Sequence, residues 1–255
     1  MFGRKSTPAW FFETSVHEEA ISRLLYLIES RSAQALVHGP DGSGRSLCLA
    51  KFSEELGRQT DVRPLYVNAA GLDRHALLET IASGLAVPAG NSATRRSDVT
   101  LRVQEDLIGR AHCGLRTVIL IDDVHRSFSE VVPVVQFLAG ISSRAWNMVS
   151  VVSASGTARI QGLSGLSALS IPLTPLSEEE SILFVAAFLS DHEERAGRIH
   201  ASAIPAVVQL SGRLPAQLLQ ICRLLLVVGE TSPDLRIDDQ IVQQVIREVT
   251  RRAVA

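Results

Sequence analysis

The sequence of 255 residues is nearly without lysine: Lys5 and Lys51 are the only two, and every other fixed basic side chain is arginine. A general drift from lysine to arginine accounts for this without reference to activity. Cysteine is also scarce. Cys48, Cys113 and Cys222 are scattered and follow no ligand spacing, which excludes a disulfide framework and a zinc site and fits a reducing cytoplasm. Each is expected to be a small buried apolar residue. An excess of positive charge is missing: the formal net charge is −2, which argues against a highly basic nucleic-acid binder while leaving a local patch open. Long apolar runs are missing too. "EVVPVVQFLAGI" and "LLQICRLLLVVG" fall short of the ~20 residues a membrane span needs, and Arg223 interrupts the second. Both read as buried helices. The opening "MFGRKSTPAWFF" has no apolar stretch of the kind a secretory leader carries, so a cytoplasmic location is expected. What is present is a hydrophobic content of 46% against 20% charged residues. That suits a globular chain of one large domain, or of a large and a small one.

Along the chain, helices are expected over 18–31 (apolar Ile21, Leu24, Leu25 and Ile28), 46–59, 73–85 with Asp73 as N-cap, 98–113 and 129–142, the last tolerating Pro133 near its first turn. Short apolar runs predict strands at 33–38, 63–69, 116–123, 147–155 and 168–173. Residues 87–97 are polar and irregular and read as a flexible loop. Strand–helix alternation of this kind implies an α/β fold, a parallel sheet covered by helices on both faces. Beyond Leu176 four helical patterns follow with no strand between them, opened by "SEEE", a serine with Glu180 three residues on: a capping box. The expected organisation is a lead-in segment at 1–32, an α/β nucleotide-binding domain at 33–175 and a small all-helical lid at 176–255.

Two stretches carry chemistry. In "HGPDGSGRSL", Gly39, Gly44 and Ser46 satisfy G-x-x-x-x-G-x-[ST]. Glycines let the backbone wrap an anion with successive N–H groups turned inward, and the following helix presents its positive end. Gly39, Asp41, Gly42, Ser43, Gly44, Arg45, Ser46 and Leu47 are the candidate nucleotide-binding residues. An ordinary glycine turn is the alternative for this stretch alone. In "VILIDD", Asp122 closes an apolar strand at the end where α/β sheets bind ligands. Beside a phosphate loop, Ser46 and Asp122 are the candidate Mg²⁺ ligands, and Asp123 is the candidate catalytic group that orients or deprotonates a water.

"GPDGSGRS" resembles a Walker A motif and "ILIDDVH" a Walker B motif. Together they resemble the AAA+ P-loop ATPases, within them the bacterial branch of ExeA-type secretion ATPases and TnsC/TniB-type transposition regulators, akin to the origin-recognition ATPases. "FFETSVHEEAISRLLYLIESR", "LTPLSEEES", "LSGRLPAQLLQICRLLL" and "DDQIVQQVIREV" resemble that branch's lead-in helix and lid, so the likeness covers nearly the whole chain. The resemblance implies ATP or ADP with Mg²⁺, a polar sensor at Ser153 or Ser155, a finger arginine such as Arg144 or Arg159, and assembly with further copies or with an unidentified protein partner.

The chain departs from that pattern at three positions. Arg45 stands where the family has lysine, a planar fork in place of a point charge. Asp123 stands for glutamate and is one methylene short; about 1 Å of misplacement costs on the order of 10²-fold. Ala216 stands for the lid arginine, and Arg213 is wrongly spaced from Pro215 to replace it. The expectation is an ATP-dependent switch with slow hydrolysis. Two alternatives stay open: a pseudo-ATPase scaffold, and a nucleic-acid-binding module with an incidental nucleotide site. Elsewhere, His125 reads as a polar neighbour of the acid pair rather than a metal ligand. Trp10, Phe11 and Phe12 read as packing on the sheet edge, with a base or a neighbouring subunit as alternatives. Arg247, Arg251 and Arg252 read as a solvated helix end, with DNA contact as the alternative.

Overall fold

The computed structural model describes residues 12–30, 34–87, 96–142, 148–197, 199–232 and 235–254. The chain divides into two compact units. The first holds residues 17–41 and 45–173; the second holds 12–16, 42–44 and 174–255.

The first unit is an α/β layer structure. Its strands are β1 (Gln34–His38), β2 (Val62–Asn68), β3 (Arg116–Asp122), β4 (Met148–Ala154) and β5 (Leu169–Pro172). They form a parallel sheet in the order β2-β3-β4-β1-β5. Its helices are α1 (Ser15–Glu29), α2 (Arg45–Leu56), α3 (Arg74–Gly84), α4 (Arg96–His112), α5 (Phe128–Ser142) and α6 (Thr157–Ser164), with a short 3₁₀ turn at Val124–Ser127. Successive strand side chains alternate between faces. Val118, Ile119, Leu120 and Ile121 of β3 are all fully buried, so both faces of the sheet are covered. Ile119 and Ile121 join Leu77 and Ile81 of α3, Val103 of α4 and Leu138 of α5 in one apolar core. Pro64 sits within β2; β2 lies at an edge of the sheet, where a residue without an N–H is tolerated.

Local signals place most elements. Asp73 caps α3 by accepting from the Ala76 N–H at 2.7 Å. Several expectations need correcting. The expected helix at 129–142 starts one residue earlier, at Phe128, and Pro133 lies inside it just past the first turn. Helix α4 begins at Arg96, inside the stretch expected as a loop, and residues 88–95 of that stretch fall outside the described residues. Helix α6 was not expected: it is short and bounded by Gly156 and Gly165. Cys48 and Cys222 are buried, but Cys113 is exposed just past the end of α4.

The second unit is built from α7 (Glu178–Ser190), α8 (Glu193–Ala196), α9 (Ala203–Leu210), α10 (Pro215–Thr231) and α11 (Asp239–Val254). Phe184, Phe188, Val207, Leu218, Leu225 and Val242 are among its buried apolar residues. Ser177 and Glu180 form the capping box that opens α7. A parallel bridge joins Ile199 to Ile237. Phe12 packs edge-on against Phe184, with ring centroids 5.5 Å apart, and not on the sheet edge. Trp10 and Phe11 lie outside the described residues.

Candidate functional site

The glycine bend follows β1 directly. Gly42 and Gly44 have φ of +87° and +93°, the left-handed region that glycine enters without steric cost. Arg45 then opens α2, with Ser46 and Leu47 half-buried in its first turn. The Arg45 side chain is only 7% exposed. Its Nη1 donates to the carbonyls of Gly39 and Pro40, at 2.5 and 2.7 Å, and its Nη2 to Asp41 Oδ1 at 2.9 Å. The planar fork is thus engaged by the loop that it follows. Ser43 is buried.

Strand β3 delivers the acid pair to the same end of the sheet. Asp122 is its last residue and is fully buried. Its Oδ2 accepts from the Tyr66 hydroxyl; its Oδ1 accepts from the Ser153 hydroxyl and from the Asp123 N–H, the latter at 3.0 Å. Asp123 leaves the strand line in a left-handed conformation, φ +58°. That turn sets its carboxylate 4.0 Å from Nη2 of Arg45 and 3.9 Å from Nε of Arg126, while Asn68 Nδ2 donates to it at 3.3 Å. Loop and acid pair therefore meet, linked through Arg45 and Asp123. Ser153, the expected sensor, faces Asp122 directly from the neighbouring strand.

Tyr66 is the residue that reading the sequence misses. Register pairs Asn68 with Asp122, and Tyr66, two residues earlier, points to the same face. Its hydroxyl is hydrogen-bonded to Asp122 and to Ser46, and burial followed by the Asp122 charge pushes its pKa up. One phenol oxygen thus touches both expected metal ligands. Ser46 and Asp122 are hard oxygen donors linked through the Tyr66 hydroxyl, and in chemistry they fit a magnesium ion.

Asp41 gathers a second set of donors. Besides Arg45, Nε2 of His125 lies 3.7 Å from its Oδ1, and the Ser155 hydroxyl is hydrogen-bonded to the same carboxylate. The Arg45 fork, with lesser help from Ser155 and His125, holds the Asp41 carboxyl below its ordinary range. Burial, reinforced by the Arg45 charge, lowers the His125 pKa and favours the neutral ring. His125 is buried and borders the acid pair, as expected of a polar neighbour. Ser155 sits just beyond β4.

Other expected residues lie elsewhere. Arg159 is exposed on α6 and Arg247 exposed on α11, while Arg144 and the side chains of Arg251 and Arg252 fall outside the described residues. In the second unit, which includes residues 42–44, the Ala216 N–H at the start of α10 donates to the Gly42 carbonyl at 3.1 Å. Among the described residues no helix is long and apolar enough to cross a membrane.

Residues 29–152, just under half of the chain, match the family model described as an AAA domain. The sheet, the glycine loop and the helices have an α/β P-loop NTPase fold. The structure is similar to Cdc6p from Pyrobaculum aerophilum, with a TM-score of 0.71 at 15% identity, over 92% of this chain and 66% of that one. It is similar to the Aeropyrum pernix ORC2 protein in ADPNP–ADP complexes, with a TM-score of 0.67 at 11% identity, covering 97% and 71%. It is similar to the Aeropyrum pernix ORC1 protein in complex with DNA, with a TM-score of 0.66 at 17% identity, covering 96% and 67%. The chain thus spans about two thirds of the length of these proteins. No curated protein sequence matches it.

Proposed function

We propose that the chain is an ATP-dependent switch of the AAA+ type, which binds ATP or ADP through the 39–47 loop and hydrolyses ATP slowly. The observation that carries this reading is the meeting of Arg45 and Asp123 at 4.0 Å, which brings the loop and the acid pair to one sheet edge. The amides of the bend and the N-terminus of α2 hold the phosphates. Ser46 and Asp122 hold magnesium, whose positive charge neutralises phosphate oxygens. Asp123 orients the attacking water and takes its proton. Ser153 fixes the Asp122 carboxylate and the Asp123 amide together. Hydrolysis is slow for two reasons. The Arg45 fork is engaged by loop carbonyls and Asp41, and Asp123 is shorter than the glutamate expected there. In this proposal the nucleotide controls assembly with further copies or with a protein partner in the cytoplasm, as in transposition regulators or secretion ATPases.

The test is titration with a fluorescent ATP analogue, with and without Mg²⁺, alongside phosphate release, for the wild type and the Arg45→Lys/Asp123→Glu double variant. Binding by both and a large rise in turnover in the variant support a slowed switch. Binding without any rise supports the second reading, a pseudo-ATPase scaffold, which the engagement of Arg45 by its own loop favours. DNA association, in which the similar Aeropyrum pernix ORC1 protein is seen, is the third reading. A DNA affinity that falls steeply with salt supports it.

A further inference from the structure

The three groups around Asp41 make an arrangement that phosphate binding alone does not require. A carboxylate and the end of a polyphosphate offer the same thing to a donor, an anionic oxygen with open lone pairs. Arg45, His125 and Ser155 all direct polar atoms to the Asp41 carboxylate. Arg45 and His125 are buried, at 7% and 5% exposed, and each keeps a buried nitrogen with no hydrogen-bond partner, Nε and Nδ1 respectively. The donors are thus fixed in the unit while the anion is not: Asp41 lies on the loop with its side chain 73% exposed. The place where they converge also borders Asp123, through Nη2 of Arg45 at 4.0 Å. Asp123 is the group assigned to the attacking water, so the phosphate that reaches this place is the terminal one.

We propose that Arg45, His125 and Ser155 form an oxyanion subsite for the terminal phosphate of a nucleoside triphosphate, and that Asp41 fills it as an internal competitor. The proposal rests on the nucleotide-binding reading of the loop. Two anions cannot share one set of donors at hydrogen-bond distance without strong repulsion. A triphosphate therefore has to drive the Asp41 carboxylate out toward solvent before its terminal phosphate settles, whereas a diphosphate stops short of the subsite. Asp41 lowers affinity for the triphosphate selectively, and the resting state favours the diphosphate.

The experiment compares wild type, Asp41→Asn and Asp41→Ala for calorimetric binding of ATP and ADP, and for thermal stabilisation by inorganic triphosphate. The expected result is an ATP affinity raised on the order of tenfold in both variants, the size of one partly screened charge contact, with ADP affinity changed less than about twofold on the same scale. Equal changes for ATP and ADP, or none for either, overturn the internal competitor and leave nucleotide binding standing. Stabilisation of the variants beyond wild type by inorganic triphosphate, with no response to either nucleotide, overturns the nucleotide reading and retains the anion subsite. No response to any of the three ligands overturns both. The second variant guards against a folding defect peculiar to the first.

Discussion

Ser153, near the end of β4, donates its hydroxyl to the carboxylate of Asp122 at the end of β3 and accepts from the Asp123 N–H at 3.1 Å. A buried carboxylate depends on such donors, since a charge-assisted hydrogen bond is worth about 1.5–3 kcal/mol. Ser153→Ala is expected to lower unfolding stability by about 1.5–3 kcal/mol, read from a shifted denaturation midpoint. A midpoint unchanged from wild type contradicts this coupling.

Tyr66 holds the other oxygen of Asp122 and also meets Ser46. Tyr66→Phe removes the hydroxyl that stands between the two expected metal ligands. The variant is expected to need several-fold less Mg²⁺ for half-maximal binding of the ATP analogue, and to lose about 1–3 kcal/mol of stability through the unmet carboxylate. Magnesium titration at fixed nucleotide checks the first effect and chemical denaturation the second.

Glu180 closes the capping box of α7 and also accepts from the backbone N–H and the hydroxyl of Ser15. The Ser15 hydroxyl, foremost among these donors, lowers its pKa to about 2 from an ordinary 4.5. A carboxyl depressed in the folded state adds stability above pH 4.5 that is lost as pH falls toward 2. Glu180→Gln is expected to flatten the stability–pH curve across that window and to cost about 1 kcal/mol at neutral pH, the size of a lost cap. Its partial exposure keeps the effect no larger.

Gly42 combines a φ of +87° with a built Cβ position 3.2 Å from Cβ of Ala216. Backbone strain and crowding act in the same direction there. Gly42→Ala is expected to lower the unfolding temperature, the strain alone costing about 1–2 kcal/mol. Differential scanning calorimetry reads the shift, and an unchanged temperature counts against the loop conformation.

Reading along the chain finds what is written locally. The β1–bend–α2 passage, the acid pair closing an apolar strand, the Asp73 cap and the Ser177/Glu180 box each depend on residues within a few positions of one another. The rest depends on pairing across the sheet. Tyr66 reaches Asp122 only because β2 and β3 run parallel in a register that sets Asn68 against Asp122. Ser155 and His125 reach Asp41 only once β4, β3 and β1 stand side by side. Phe12 found Phe184, more than a hundred positions away, which no periodicity in its own segment signals.

Pro64 has a consequence for the rim of the sheet at β2. At that position the rim of the sheet offers no amide to an incoming strand, and the neighbouring ladder already uses β3. Growth of the sheet from one molecule into the next is therefore discouraged along β2. A strand added to the sheet would have to join at β5, the opposite rim, where β1 occupies only one side.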